Sequence, residues 1–157
     1  MSIIKDLSLH KSGEMKINWV RRHMPLLNEI EKEFIAQKPL QGLRMTISIH
    51  LEAKTAYMAQ VLRAGGADVA VTGCNPLSTQ DDVAAALANE GMKVYAINGA
   101  SMEEYEHHLC CALENYPHLI IYDGGDLVAL LHGKMQPYAK ELRGGAEETT
   151  TGVIRLR

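Results

Sequence analysis

The feature that most restricts the fold of this chain is a regular alternation of short apolar segments and longer helical segments after residue 40. The first pair is LRMTISI at 43–49, which is rich in β-branched residues, and LEAKTAYMAQVLRAGG at 51–66, which ends in two glycines. Three more pairs follow: DVAVTGC and TQDDVAAALANEG, MKVYAIN and SMEEYEHHLCCALENY, and HLIIYD and DLVALLHGKM. Strands joined by helices of about ten or more residues pair in parallel through right-handed crossovers. The alternation therefore predicts a doubly wound, Rossmann-like α/β fold with a mostly parallel sheet.

The two ends of the chain differ from its middle. Residues 1–40 are predicted to be a helical lead-in, in which Pro25 either kinks one helix or starts a second one. We assign residues 41–145 to the α/β sheet, and we expect 146–157 to begin a further segment that contains a new helix, with a turn at the glycine pair before it. A chain of 157 residues with 46% hydrophobic content matches a single domain with one sizeable core.

Composition excludes several classes of protein. Sixteen Lys and Arg residues against nineteen Asp and Glu residues give a net charge of −3 without a basic stretch, so nucleic acid is not an expected partner. No apolar stretch approaches the length of a membrane span, and the start of the chain lacks the apolar core of a signal peptide, so we expect a soluble cytoplasmic protein. Three cysteines without CxxC spacing predict no disulfide framework, and the adjacent His107 and His108 make a poor metal pair, so no metal is expected.

Polar residues collect where the predicted strands end. They are His50 to Lys54 after the first strand, Cys74, Asn75 and 78–81 after the second, Asn98 after the third, and 123–126 after the fourth. In an open parallel sheet the carboxyl ends of the strands meet at one crevice, where ligands bind. The shared position of these residues predicts a ligand site at this edge of the sheet.

Each cluster also has a purely structural explanation. Residues 78–82 are typical of a helix cap and 123–126 of a tight turn, and His50 alone is equally consistent with a hydrogen-bonded core histidine. The stretch Glu147 to Thr151 is harder to explain in this way, because its three consecutive threonines are poor helix formers but offer hydroxyls and amides to a ligand.

Four stretches together resemble the amino-terminal substrate-binding region of the S-adenosylhomocysteine hydrolases. They are SIHLEAKTA at 48–56, GCNPLSTQDDVAAAL at 73–87, YDGGDL at 122–127 and EETTTGVIRL at 147–156. They occur in the order and spacing of that family, and the resemblance covers nearly the whole chain from about residue 15 onward.

The resemblance implies the reversible hydrolysis of a nucleoside thioether, a small-molecule substrate, with tightly bound NAD as cofactor. In that family a ribose hydroxyl is oxidised, homocysteine is eliminated, water is added, and the ketone is reduced again. Carried over by motif, His50 and Asp123 are the catalytic residues that assist proton transfer, and Asp123 also contacts the substrate. Glu148 is implied to bind ribose hydroxyls.

The same motifs imply further contacts. Cys74 and Asn75 would line the substrate pocket near the ribose and the amino-acid portion, and Thr149, Thr150 and Thr151 would contact the bound NAD. The family assembles as homotetramers, which implies that the complete protein is a homo-oligomer.

The sequence departs from the family at two points. Tyr122 stands where the family usually has the first of two aspartates, although Asp123 retains the second. The chain contains no GxGxxG motif, and it lacks the lysine and aspartate that complete the family's active site. We therefore expect residues 146–157 to lead toward an NAD-binding domain of a longer enzyme, and the chain alone to have no turnover. The alternative is a stand-alone nucleoside-binding or regulatory module.

Glu52 and Lys54 bear on which base is bound. Many family members have threonine and glutamate at these positions, which suit the ring nitrogen and the amine of adenine. Glu52 can only accept and Lys54 can only donate, which is the pattern that hypoxanthine complements. The sequence thus predicts S-inosylhomocysteine as the preferred substrate and S-adenosylhomocysteine as a weaker or alternative one. Alternatively, Glu52 and Lys54 pair with each other at the helix start and leave the base to backbone groups.

Overall fold

Five short parallel strands form one sheet in the structure, a computed structural model that describes all 157 residues. The strands are β1 (Arg44–Ser48), β2 (Asp68–Thr72), β3 (Lys93–Tyr95), β4 (Leu119–Tyr122) and β5 (Gly144–Glu147). They lie side by side in the order β3-β2-β1-β4-β5, and every neighbouring pair is parallel. This is the doubly wound α/β fold that the alternating segments predicted.

Seven α-helices accompany the strands. They are α1 (His10–Arg21), α2 (Pro25–Gln37), α3 (Ala53–Ala64), α4 (Asp81–Asn89), α5 (Met102–Leu113), α6 (Asp126–His132) and α7 (Thr150–Arg155). Pro25 is the first residue of α2, where its missing amide hydrogen costs nothing, so it starts a second helix rather than kinking one. The predicted capping box at the start of α5 is present, because the Ser101 and Glu104 side chains each bind the other residue's amide. None of the helices is long and apolar enough to cross a membrane.

Helices cover both faces of the sheet, and alternate strand residues supply the two cores. On one face, α1, α3 and α4 pack over a cluster of 21 buried residues that includes Ile47 of β1 and Val71 of β2. On the other face, α5 and α6 pack over a smaller cluster that includes Ile120 and Tyr122 of β4. Tyr122, which replaces the family's first aspartate, is therefore a core residue of the smaller cluster.

The fifth strand corrects the sequence-based expectation of a turn at the glycine pair. Residues 144–147 pair in parallel with β4, with Gly145 opposite Ile120 and Glu147 opposite Tyr122. The segment GGAE has no β-branched or aromatic residue, so its strand geometry comes from backbone pairing with β4 and not from its own preference. The helix expected after it is present as α7, and Thr149 is its N-cap residue.

Candidate functional site

The site lies at the point where the strand order reverses. β1 leads to β2 and β3 on one side, and the chain then crosses back to place β4 and β5 on the other side of β1. The loops after β1 and β4 consequently diverge, which leaves a crevice beyond their carboxyl ends. His50 follows β1, Asp123 follows β4, and Cys74 follows the adjacent β2, so all three border this crevice.

Three predicted site residues meet there. His50 Nε2 lies 3.3 Å from Asp123 Oδ2, and the Cys74 thiol donates to the same oxygen at 3.3 Å. The His50 side chain is 51% exposed, which rules out the core-histidine explanation, whereas the Asp123 side chain is only 15% exposed. Asp123 is thus a largely buried carboxylate that accepts from Cys74 and faces the His50 ring on its open side.

The Cys74 thiol is held in its protonated form. Burial, followed by the hydrogen bond to Asp123 and the charge of that carboxylate, raises the pKa of Cys74 to about 12. At neutral pH the residue is therefore a hydrogen-bond donor to Asp123 and not a thiolate nucleophile.

Ser78 orients the His50 ring. The Ser78 hydroxyl donates to the Asn75 carbonyl oxygen at 3.0 Å and lies 2.6 Å from His50 Nδ1. A hydroxyl has a single hydrogen, so Ser78 accepts from His50, and Nδ1 carries a proton. His50 Nε2 is left to face the Asp123 carboxylate, an arrangement that one shared proton or one cation satisfies.

The remaining polar residues after β2 serve local structure. The Asn75 side chain accepts from the amide of Leu77 at 2.9 Å and so caps a 3-10 turn at Pro76–Ser78. The predicted cap at 78–82 is only partly present, because Gln80 is the N-cap residue of α4 and makes no side-chain cap bond. The role of Asn75 in substrate binding stays a prediction.

An apolar cavity of about 510 Å³ opens between the start of α2 and the start of α3. Its lining residues are Met24, Pro25, Leu26, Leu27, Ile30, Ile49, Glu52, Lys54, Thr55, Met58 and Glu148. The volume lies in the range of small-molecule sites, and mostly apolar walls with a few polar groups are typical of such sites. Ile49 and Glu52 flank His50 in sequence, so the cavity and the His50–Asp123 pair share one short segment.

Glu52 and Lys54 line the cavity and contact each other. Lys54 Nζ is 3.5 Å from Glu52 Oε1, with the lysine side chain 65% exposed and the glutamate 30% exposed. Glu52 is the extended N-cap residue of α3, which lets its side chain reach a residue two positions further on. The ion pair expected as the alternative to base recognition is therefore present, as a solvent-accessible and weak interaction.

The loop after β4 requires its two glycines. Gly124 and Gly125 both have φ of 86°, a left-handed conformation that side chains with a Cβ rarely adopt. The segment 123–126 is thus the tight turn that composition suggested, and it also carries Asp123 to the crevice. Its two explanations do not exclude each other.

Glu147, to which the sequence analysis assigned no role of its own, ties this loop to the last helix. Its Oε1 accepts from the Gly124 amide at 3.0 Å, from the Thr149 amide at 2.9 Å and from the Thr149 hydroxyl at 2.8 Å. Burial opposes ionisation, but the hydrogen bonds from Gly124 and Thr149 outweigh it and lower the pKa of Glu147. Arg155 completes the connection by donating to the Gly124 carbonyl oxygen at 2.6 Å.

The three threonines divide into two kinds. The Thr149 hydroxyl also accepts from the Gly152 amide at 3.1 Å, so it is occupied within the chain. Thr150 and Thr151 are exposed, and their hydroxyls have no hydrogen-bond partner in the chain. The neighbouring Glu148 is exposed and lines the cavity.

Tyr105 is a second residue that sequence reasoning missed. Its hydroxyl lies 3.0 Å from the Cys74 carbonyl oxygen and 3.0 Å from Asp126 Oδ2, and so joins the loops after β2 and β4. A tyrosine in the first turn of an amphipathic helix gives no signal of such a role. Ser78, by contrast, belongs to a stretch already recognised as unusual.

The all-parallel sheet and the polar cluster at its switch point place this chain in the doubly wound α/β class, in which small molecules commonly bind at this edge of the sheet. The family model for S-adenosyl-L-homocysteine hydrolase matches residues 2–140. The chain belongs to this family, as the four motifs indicated.

Curated relatives carry two different names. An S-inosyl-L-homocysteine hydrolase of Methanocaldococcus jannaschii is 51% identical over 154 residues, which are 98% of this chain and 37% of the relative. An adenosylhomocysteinase of Pyrococcus abyssi is 53% identical over 154 residues, which are 98% of this chain and 36% of the relative. An adenosylhomocysteinase of Thermotoga maritima is 52% identical over 146 residues, covering 93% of this chain and 36% of the relative. The chain thus spans somewhat more than a third of the length of these relatives, and overall identity does not separate inosyl from adenosyl names.

Proposed function

We propose that this chain is the substrate-binding part of an NAD-dependent hydrolase that cleaves a purine nucleoside thioether of L-homocysteine, with S-inosyl-L-homocysteine preferred over S-adenosyl-L-homocysteine. The observation that carries the proposal is that one cavity and one short segment hold the residues predicted to bind the base and the ribose and to transfer the proton. Glu52, Lys54 and Glu148 line one apolar cavity, and the short segment that carries Glu52 and Lys54 also carries His50, which contacts Asp123. Base, ribose and reacting atoms can therefore be held in one continuous ligand position.

The base would lie between apolar walls with its polar edge toward Glu52 and Lys54. The carboxylate oxygen and the ammonium nitrogen are 3.5 Å apart, a spacing that suits two parallel hydrogen bonds to neighbouring atoms of a ring edge. Hypoxanthine presents a ring N–H and an exocyclic oxygen there, which match an acceptor and a donor. Adenine presents an acceptor and an amine, so both protein groups would face the wrong partner.

The contact between Glu52 and Lys54 supports the base-reading arrangement as much as the ion-pair alternative. A pair this exposed contributes only about 0 to 1 kcal/mol in water, so a ligand can insert between its members at low cost. Leaving a buried polar group unpaired costs about 1 to 3 kcal/mol for each group. Two mismatched groups therefore favour the inosyl ligand by tens of fold or more.

At the ribose end, the His50–Asp123 pair would hold and move one proton. The protonated Nδ1 is held by Ser78, which leaves Nε2 to exchange a proton with the substrate or with Asp123. The Cys74 thiol keeps Asp123 in place and donates to its charged form. Glu148, exposed at the cavity, is placed to accept from ribose hydroxyls.

Two of the three threonines predicted to contact NAD are free to do so. Thr150 and Thr151 have exposed hydroxyls without partners and are suited to contact NAD, whereas Thr149 is already bonded to Glu147 and Gly152. When bound, NAD supplies the temporary oxidation of the ribose hydroxyl that acidifies the neighbouring carbon.

Calorimetric titration of the 157-residue chain with inosine and with adenosine tests the base preference directly. We expect inosine to bind tens of fold more tightly. The double variant Glu52→Thr with Lys54→Glu should reverse the preference, because a hydroxyl and a carboxylate match adenine. The matched control is Glu29→Thr with Lys32→Glu, which removes an ion pair of the same composition on α2 at about 70% exposure, outside the cavity.

Tighter binding of adenosine by an order of magnitude, or an unchanged ratio in the Glu52 and Lys54 variant, contradicts the base assignment. The hydrolase proposal is tested separately, by assaying a protein that joins this chain to the remaining length found in its relatives. Release of homocysteine from S-inosylhomocysteine supports it. Nucleoside binding without any turnover of either thioether favours the binding-module alternative.

A further inference from the structure

The His50, Cys74 and Asp123 side chains bring three different metal-ligand atoms together. An imidazole nitrogen, a thiol sulfur and a carboxylate oxygen all lie within 4.8 Å of one another. Two of the three separations are shorter, because Asp123 Oδ2 is 3.3 Å from His50 Nε2 and 3.3 Å from Cys74 Sγ. The three residues follow three different strands, whose carboxyl ends converge at this edge of the sheet.

These separations match a tetrahedral zinc centre. Bond lengths of about 2.0 Å to nitrogen and oxygen and 2.3 Å to sulfur place ligand atoms about 3.3 to 3.5 Å apart in a tetrahedron. The two 3.3 Å separations already fit, and the third needs at most about 1.3 Å of closure to come down from the 4.8 Å limit. The half-exposed His50 ring has the room to supply that movement.

A supporting hydrogen bond for the histidine is also present. Ligating histidines usually donate their other ring N–H to a neighbouring acceptor, which fixes the ring and its tautomer. His50 Nδ1 donates to the Ser78 hydroxyl at 2.6 Å, and Ser78 is fixed in turn by the Asn75 carbonyl oxygen. The Nε2 lone pair is thereby aimed at the space shared with Asp123 and Cys74.

We propose that His50 Nε2, Cys74 Sγ and Asp123 Oδ2 bind a borderline-soft divalent cation such as Zn²⁺, with a fourth position open to the crevice. Sulfur and nitrogen ligands select against Mg²⁺ and Ca²⁺, and three protein ligands are typical of sites that keep an exchangeable position. On binding, the metal–sulfur bond forms as the thiol proton leaves to solvent. The inference does not rest on the proposed function, because all three ligands belong to this chain.

A cation at this position excludes proton transfer by the same residues. It would occupy the space in which His50 and Asp123 share a proton, and it would use the lone pair on Nε2. Metal binding and the proposed catalytic role of the pair are therefore mutually exclusive states of one cluster. The cation acts as an inhibitor of the site.

The test is titration of the 157-residue chain with Zn²⁺, in a non-thiol reductant, and with Co²⁺ as a spectroscopic probe. We expect one Zn²⁺ per chain and a thiolate-to-cobalt charge-transfer band. Cys74→Ser should abolish the band and weaken Zn²⁺ binding at least tenfold. Ser78→Ala, which keeps every ligand, should weaken binding by roughly ten- to a hundredfold, as expected when the support of a ligating histidine is removed.

The chain offers a matched control in its other histidine–cysteine pair. Cys111 Sγ lies 3.6 Å from His107 Nε2 on the surface of α5, without a third ligand recorded beside them. Cys111→Ser should leave stoichiometry, affinity and the cobalt band unchanged. Loss of binding in Cys111→Ser, unchanged binding in Cys74→Ser, or no binding at millimolar Zn²⁺ would each overturn the proposal. If Cys74→Ser fails to fold, the wild-type cobalt band together with Ser78→Ala decides the question.

Discussion

Replacing Gly152 with alanine tests how α7 is held against the loop that carries Asp123. Gly152 is buried, and a Cβ built on it would lie 2.1 Å from Glu147 Cδ and 2.2 and 2.3 Å from the two carboxylate oxygens. No real Cβ contact is this short, so the Glu147 carboxylate has to move. That carboxylate accepts hydrogen bonds from Gly124 and Thr149, which would be broken or lengthened.

The magnitude follows from these contacts. Overpacking costs about 1 to 3 kcal/mol, and leaving a buried donor unpaired costs a similar amount. Because α7 is short and lies at the end of the described chain, we expect the cost first as local opening of α7 and not as global unfolding. A loss of about 2 to 3 kcal/mol corresponds to a roughly 30- to 150-fold faster amide exchange.

The local opening of α7 is measured by hydrogen exchange, followed by nuclear magnetic resonance. The reporting amides are those of residues 152, 153 and 156, which donate within the α7 segment. Gly144→Ala is the control, because Gly144 lies in β5 like Glu147, and a Cβ on it meets nothing within 4 Å. We expect exchange in Gly144→Ala to match the wild type. Equal protection of α7 in both variants would refute the idea that the Glu147 contact holds this helix.

Two further predictions concern buried tyrosines. Burial, then the hydrogen bond to Glu31, raises the pKa of Tyr57 to about 12 from 10.0, so its contribution to stability is full below pH 10 and is lost as the pH rises toward 12. The free energy of unfolding, measured with urea, should fall between pH 9 and pH 12, and the fall should be smaller in Tyr57→Phe by up to about 2 to 3 kcal/mol. An identical fall in both proteins would contradict this prediction. Tyr105→Phe removes the hydroxyl between the Cys74 carbonyl and Asp126 and should lower the free energy of unfolding by about 1 to 2 kcal/mol in the same assay; no change would show that this link is not stabilising.

The sequence predicted the first four strands because their signal is local. Segments such as 43–49 and 119–122 combine β-branched residues with apolar character and follow helices of regular period. β5 carries no such signal, because GGAE becomes a strand only through long-range pairing with β4. Sequence patterns find elements that prefer their own conformation and miss elements that a neighbour imposes.

The site shows the same division. His50, Cys74 and Asp123 were identified from motifs, and the structure brings them together. Ser78 and Glu147 lie in stretches that the sequence marked as unusual, but neither was given a role, because each acts through a partner that the fold alone supplies. Two adjacent glutamates show what sequence alone does not distinguish. Glu147 is hydrogen-bonded within the chain, whereas Glu148 is exposed and lines the cavity.

The short segment after β1 fixes the relation between base recognition and chemistry. The His50 carbonyl accepts from the Glu52 amide at 2.9 Å and from the Thr55 hydroxyl at 2.6 Å, and the Leu51 carbonyl accepts from Gln80. None of these bonds involves the side chains of Glu52 or Lys54. Under the proposed base assignment, exchanging those two side chains would alter which purine is accepted while His50 stays where it is. Base specificity in such a domain can diverge between closely similar chains by two substitutions, without any rearrangement of the backbone that positions the reacting atoms.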